Sequence, residues 1–391
     1  MLDGVFSNPT TIYFGKDSAR RALDELPAAG SRVLVVHGKQ AVERYGLLDL
    51  VREKFAARDI AMVTLDGIQP NPIAEPVYTG IALCRQHGID CVLAIGGASV
   101  IDTAKSIAAG ALYDGDFFDF YLRKAVPTRT LPVGAILTIA GAGSESSDGA
   151  VITKDGLKYA CGSPAMYPLF SVLDPTYTQS VPKFLTACGV VDAISHVLER
   201  YFTKATAVLT STELSEGLIR ALMANGEALL ADLDNYDLRA EVMWAAKLAH
   251  DNTIGFGRKH DWGSHSIAHE LGARYDKAHG ALLAVVFPAW MTFMQRKQPD
   301  AFARFGAGVF GLRGDDTDAL GREAIAAYRA FLVRMGMPRT LSACLGTDAG
   351  AEFEAIARAC GATTMSGTIG NFERLNQNDI VEILKLAEKD N

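Results

Sequence analysis

Cys91-Val92-Leu93-Ala94-Ile95-Gly96-Gly97-Ala98-Ser99-Val100-Ile101-Asp102-Thr103-Ala104-Lys105 is the stretch from which the fold is read. A short apolar run ends at two glycines, and a pattern of helical spacing begins at once behind them. The run reads as a buried strand and the continuation as a helix. Strand, glycine turn and helix N-terminus together form a phosphate-binding arrangement. Glycine lets the backbone approach a ligand closely, and the N–H groups of the first turn face an anion with the helix dipole behind them. The competing use of the same residues is a plain helix start, with Ser99 and Asp102 as a capping pair in the S-x-x-D pattern. The G-x-G-x-x-G fingerprint of ordinary Rossmann dehydrogenases is absent from this position.

Further strand candidates fall at residues 32–36, 61–65, 133–137 and 171–173, with helical spacing at 41–57 and 73–87. Buried strands alternating with helices predict a parallel sheet covered by helices. A second turn of small residues, Thr138-Ile139-Ala140-Gly141-Ala142-Gly143-Ser144-Glu145, follows the strand candidate ending at Leu137. It suits either the other side of a dinucleotide or a tight strand exit. After Pro182 the texture changes to long Ala-, Leu-, Glu- and Met-rich segments at 183–202, 210–230, 239–252 and 317–335. These features predict an α/β domain over residues 1–180 and an all-helical domain over 181–391.

Composition narrows the classes. With 49% hydrophobic residues in 391, the chain can bury a substantial core. Its 45 acidic and 38 basic side chains are dispersed, so there is no basic stripe for a nucleic acid. The N-terminal stretch lacks a positive n-region and an apolar h-region, which predicts a cytoplasmic setting. The apolar run 281–294 is shorter than the roughly 20 residues a bilayer needs. It contains Pro288 and reads as a buried core helix rather than a membrane span. Six cysteines at irregular separations, with no C-x-x-C, suggest reduced thiols and no thiolate zinc site.

Five side chains in the helical half form a metal-ligand pattern. Asp192 and His196 stand four apart, His265 and His269 repeat that spacing, and His279 precedes a glycine. Side chains four apart on a helix share a face and can share an ion. Carboxylate and imidazole without thiolate suit a divalent ion such as Fe(II) or Zn(II) in a catalytic role. His37, His87, His250 and His260 have no partner at such spacing and read as ordinary core or surface residues.

A family resemblance rests on stretches met in order along the chain. They are Asn8-Pro9-Thr10-Thr11-Ile12-Tyr13-Phe14-Gly15-Lys16, Gln69-Pro70-Asn71-Pro72, Gly96 to Asp102, Gly143-Ser144-Glu145, Leu173-Asp174-Pro175, Gly189-Val190-Val191-Asp192-Ala193, Asn235 to Ala246 and Asp261-Trp262. Through them the chain resembles the iron-containing, group III alcohol dehydrogenases, which share their fold with dehydroquinate synthase. The branch it resembles most is the NADP(H)-dependent butanol dehydrogenases and broad aldehyde reductases. The resemblance implies a Rossmann-like dinucleotide-binding domain followed by a helical metal-binding one, and a homodimer that transfers hydride between NADP(H) and a small aldehyde or primary alcohol. It implies Asp192, His196, His265 and His279 as ligands of Fe(II), or of Zn(II) in its place. His269 then becomes a proton relay or a residue beside the ligands. It assigns Asn71, Gly96, Gly97, Ser99, Asp102, Thr138 and Lys158 to the cofactor. Ala98 replaces a more usual third glycine, Ile139 and Ala142 stand where threonines are common, and Asp148 stands near a frequent Asn. A polyol dehydrogenase is the nearest alternative activity. A dehydroquinate-synthase-like lyase is a more distant one, since such an enzyme needs several cations for an acidic substrate and the residues about Trp262 and Phe256 read as mostly uncharged.

Cofactor choice is read at the end of the strand candidate 32–36, where His37-Gly38-Lys39 follows. NAD enzymes commonly place a carboxylate at such a strand end, against the ribose hydroxyls. Here the position is Gly38, and Lys39 adds a cation able to meet a 2′-phosphate. By the resemblance, NAD-preferring members often carry Asp at this place, whereas glycine goes with NADP(H).

Overall fold

The computed structural model describes residues 1–24, 31–38, 40–362 and 364–389, so Lys39 lies outside the described residues. The chain divides into two compact units, one of Ser7–Val181 with Asp234–Met243, the other of Met1–Phe6, Pro182–Leu233 and Trp244–Asn391. Neither excursion, the first six residues or the ten after Leu233, is marked by a shift in composition.

The first unit holds strands β1 (Thr11–Phe14), β2 (Arg32–His37), β3 (Ala61–Leu65), β4 (Cys91–Gly96), β5 (Val133–Leu137), β6 (Gly149–Lys154), β7 (Leu157–Gly162) and β8 (Phe170–Leu173). Its helices are α1 (Ser18–Asp24), α2 (Gln40–Arg44), α3 (Leu47–Ala56), α4 (Ala74–His87) and α5 (Ala98–Ala111). Six strands form a parallel sheet in the order β1-β8-β5-β4-β2-β3. Side chains alternate across a strand. Val33, Val35, Cys91, Leu93 and Ile95 therefore pack on one face with Ala19, Ala22 and Leu23 of α1 and Leu47, Val51 and Phe55 of α3. Leu34, Val36, Val92 and Ala94 pack on the other with Val77, Ile81 and Cys84 of α4 and most of the apolar residues of α5. Two covered faces explain why these strands are apolar throughout instead of alternating.

Strand order reverses at β2, which pairs with β3 on one side and β4 on the other. In open parallel sheets, ligands bind beyond the carboxyl ends of the strands at such a reversal. Residue His37 stands opposite Ile95 in register, so Gly38 and the Gly96-Gly97 turn are neighbours at that edge.

Two features of this unit have no counterpart in the sequence reading. Strand β1 is four residues long and lies at a sheet edge, too short to show a period. Strands β6 and β7 form a separate antiparallel hairpin, and its turn residues Asp155 and Gly156 both have positive φ, 53° and 74°. Asp-Gly is the two-residue turn that such backbone angles demand, so this signal was present in the sequence.

The second unit is helical: α6 (Lys183–Tyr201), α7 (Leu209–Ala231), the C-terminal part of α8 (Tyr236–His250) from Trp244 on, α9 (Gly263–Tyr275), α10 (His279–Gln295), α11 (Pro299–Phe310), α12 (Thr317–Arg334), α13 (Leu341–Leu345), α14 (Phe353–Ala362) and α15 (Gln377–Ala387). Helix α10 includes Pro288 and is buried nearly all round, as an apolar circumference requires. Among the described residues no helix is long and apolar enough to cross a membrane.

The sheet leaves one close approach open to test. Gly134 pairs with Phe170, and a Cβ there would run into the phenyl ring. Gly134→Ala should lower the unfolding free energy by about 1–3 kcal/mol in urea titration, the cost typical of overpacking. The double variant Gly134→Ala/Phe170→Leu should recover part of it.

Candidate metal centre and dinucleotide turn

Helix α6 presents Asp192 and His196 one turn apart in a stretch that is buried from Thr186 to Tyr201. Helix α9 supplies His265, and His279 is the first residue of α10. The next residue, Gly280, has a reason to be glycine: a Cβ there would collide with the backbone carbonyl of Cys188 on α6. This contact lets the start of α10 come close enough to set His279 beside Asp192. The Nε2 atoms of His196, His265 and His279 lie 3.8, 4.0 and 3.8 Å from Asp192 Oδ1. Ligand atoms of Asp192, His265 and His279 all fall within 4.8 Å of one another.

Whether these residues suit a divalent cation is decided by His265. Its Nδ1 lies 2.7 Å from Glu199 Oε1, while its Nε2 is buried and has no hydrogen-bond partner. A buried polar atom in that state costs about 1–3 kcal/mol. Burial pushes the Glu199 carboxyl upward, but the hydrogen bonds from the His265 ring, Ser264 and the His265 N–H outweigh it and keep Glu199 below its ordinary range. An ionised Glu199 can only accept, so His265 donates from Nδ1 and its Nε2 lone pair points to the centre. Burial above all holds His196 well below the ordinary histidine value and therefore neutral. Three imidazoles and one carboxylate without thiolate fit Fe(II) or Zn(II).

Glu199 organises more than one ring. It accepts from the Trp262 N–H at 2.5 Å, the Ser264 hydroxyl at 2.5 Å and the His265 N–H at 3.1 Å. Asp261 fastens the same turn from the other side, taking the N–H groups of Asn371 and Phe372 at 2.6 Å each and of Gly263 at 3.1 Å. Trp262 between them adopts a left-handed conformation, φ 65°, at the N-cap of α9.

His269 is half-buried, with its ring stacked on His279 at 5.0 Å and 6.1 Å from that of His265. The structure also brings in a histidine that spacing did not reveal: the ring of His250, at the end of α8, meets His196 edge-on at 4.3 Å. No periodic signal could have found it, because its neighbour lies on another helix. The expectation of mostly uncharged surroundings at Trp262 needs one correction. The Arg200 guanidinium lies 4.9 Å over the Trp262 ring, and it is directed at the carbonyls of His196 and His250.

In the first unit, the cap of α5 is Gly97, without a side-chain cap bond, so Ser99 and Asp102 are not a capping pair. The Ser99 carbonyl receives the Thr103 hydroxyl at 2.8 Å. Asp102 is turned inward, accepting the Ser144 hydroxyl and, at 2.9 Å, the Val151 N–H. Thr138 donates its N–H to the Gly96 carbonyl at 3.0 Å. Ile139 sits over the turn so closely that a Cβ on Gly97 would strike it. Lys158 of β7 donates to Asn71 Oδ1 at 2.6 Å, and Asn71 has φ 54°. Gly38 has ordinary room for a Cβ, 3.6 Å from the Ile68 carbonyl oxygen. A helix N-terminus behind two glycines at the sheet's reversal point fits a dinucleotide phosphate.

The Glu199 contact generates a test. Glu199→Gln keeps the shape but can present an amide N–H to His265 Nδ1, which favours the wrong tautomer. Metal affinity, measured by chelator competition, should fall about 10- to 100-fold, as for other ligand-orienting partners. Unchanged affinity would show that Glu199 serves the turn alone.

Comparison with known proteins accounts for both units. The family described as iron-containing alcohol dehydrogenase matches residues 9–175, and its C-terminal counterpart, described as Fe-containing alcohol dehydrogenase family, C-terminal, matches residues 186–387. The chain is 36% identical over 391 residues to the probable NADH-dependent butanol dehydrogenase 1 of Bacillus subtilis, covering 99% of this chain and 100% of that protein. It is 35% identical over 339 residues to the NADPH-dependent aldehyde reductase YqhD of Escherichia coli, covering 85% and 87%. The crystal structure of NADH-dependent butanol dehydrogenase A from Thermotoga maritima superimposes with a TM-score of 0.95 at 36% identity, over 100% of this chain and 99% of that one. The chain therefore belongs to the iron-containing alcohol dehydrogenase family.

Proposed function

We propose that this chain interconverts small aldehydes and primary alcohols, acting mainly as an NADPH-dependent aldehyde reductase, with Asp192, His196, His265 and His279 holding an iron(II) ion. The observation that carries this reading is the convergence of three imidazole Nε2 atoms within 3.8–4.0 Å of Asp192 Oδ1. Its family membership makes it an alcohol dehydrogenase that uses iron and a nicotinamide cofactor.

When bound, the metal supplies a Lewis acid for the substrate oxygen. The protein's part is positioning and proton supply. Reduction delivers hydride from the nicotinamide to the carbonyl carbon and a proton to the oxygen. His269, half-buried against His279, is suited to carry that proton, because an imidazole exchanges protons near neutral pH. Gly96, Gly97 and the start of α5 receive the pyrophosphate, with Ser99 in that first turn. Thr138, Asn71 and Lys158 border the same cofactor, and Asp102 acts from behind, through the segment it holds.

NADPH is favoured over NADH by Gly38. It lies at the end of β2, where a carboxylate would otherwise bind the ribose hydroxyls and repel a 2′-phosphate. Relatives of comparable identity are named for either cofactor, so the residue at this strand end is the better guide.

Two experiments test the reading. His265→Ala and His279→Ala should each abolish bound metal and butanal turnover together, while His269→Ala keeps the metal and loses rate. Equal metal loss in all three variants overturns the ligand assignment. Gly38→Asp, for which the backbone has room, should move preference from NADPH toward NADH in KM comparisons. A wild-type enzyme already faster with NADH would sink the cofactor argument.

A further inference from the structure

One charged group of the α/β unit is used by none of the chemistry above. Lys105 is fully buried on α5, and its Nζ donates to the carbonyls of Ser144 at 2.5 Å, Ser147 at 2.7 Å and Gly149 at 3.0 Å. One turn earlier, Asp102 takes the Ser144 hydroxyl and the Val151 N–H. The segment 144–151 is therefore gripped by an anion and a cation on a single helix face. At its near end, this segment continues the small-residue turn whose Thr138 bonds to Gly96 and whose Ile139 covers Gly97. At its far end it becomes β6, where Thr153 pairs with Lys158 of β7.

We propose that Lys105 is a positioning residue for the dinucleotide: it sets the 138–149 turn and the β6–β7 hairpin against the phosphate-binding end of α5. This rests on the cofactor site proposed above. Three of its acceptors are backbone carbonyls and the fourth is the Ser144 hydroxyl at 3.3 Å, so the hold is mainly on the backbone of the turn, and a cation supplies the donors from a small volume. Ion-dipole bonds of this kind preorganise a loop that would otherwise be ordered at the expense of cofactor affinity.

The proton on Lys105 makes the proposal testable without a variant. Burial draws its ammonium down to about 8, against Asp102 on its own helix, Glu145 and Asp148 in the turn and Cys161 on β7, all of which favour the charged form. Tyr121 and Lys158 are the other titratable groups near this cluster. Above that value the amine loses a donor and the turn its grip, so cofactor affinity falls. Stability moves the other way. The native Lys105 pKa lies below its ordinary 10.5, so the unfolded chain binds more protons between about 8 and 10.5, and this group's contribution to stability rises with pH across that window. A role in folding alone would not separate the two readouts.

NADPH binding should be titrated by fluorescence from pH 7 to 9.5 for the wild type and Lys105→Met, with urea unfolding at each pH. The wild type should bind tightly at pH 7 and lose up to about tenfold per pH unit above about 8. Lys105→Met should bind about tenfold more weakly at pH 7, with a flat profile. A wild-type affinity that stays flat across the range overturns the proposal even if the variant fails to fold. A folded variant with the wild-type profile also overturns it. Absence of wild-type binding to either NADPH or NADH at pH 7 overturns the cofactor site itself, and this inference with it.

Discussion

A charge buried in a protein must have its lone pairs or protons met by partners, and both units of this chain depend on that constraint. In the helical unit the charge is Glu199, whose side chain is fully buried. Its two oxygens take up the Trp262 and His265 N–H groups, the Ser264 hydroxyl and the His265 ring, so one carboxylate fixes the start of α9 and the orientation of the His265 ring together. In the α/β unit the charges are Asp102 and Lys105, which meet their needs in the segment after the second turn. Each arrangement converts the cost of desolvation into a single permitted geometry, because any displaced partner leaves an ion unmatched.

That constraint also sets the histidines of the candidate centre apart from one another. Residues His265 and His269 have the same spacing from one another as Asp192 and His196, and both rings lie near His279. His265 has Nδ1 tied to a buried carboxylate and Nε2 left facing Asp192. Burial keeps His196 neutral, so that ring offers a lone pair where a protonated one would repel a cation. Close approach completes the set, since the backbone at Gly280 runs against Cys188 with no space for a side chain. The site is thus a product of packing between α6, α9 and α10 as much as of the residues that form it.

Much of this was legible in the chain itself. Strands β2, β3, β4 and β5 and helix α4 fall where their apolar runs and periods put them, because burial on both sheet faces writes itself into every residue of a strand. The glycine turn announces a helix start at an anion site, and the four-residue spacings announce shared faces. The hairpin of β6 and β7 was readable from Asp155-Gly156 but competes with a half-buried, mixed pattern on either side.

Sequence alone determined the α/β and helical units, a strand, glycine turn and helix start, and a pool of five metal-ligand candidates, because period and turn chemistry act between residues close along the chain. Family resemblance then drew four ligands from that pool. Tertiary structure alone decided how His265 is oriented, by a carboxylate 66 residues away, and that His250 stands against His196. It likewise decided that Asp102 and Lys105 turn inward to a segment about 40 residues on, when the S-x-x-D pattern allowed a simple cap. The physical reason is the same in each case. A backbone period fixes which way a side chain points, but the partner that satisfies a buried polar atom is set by what folds across from it.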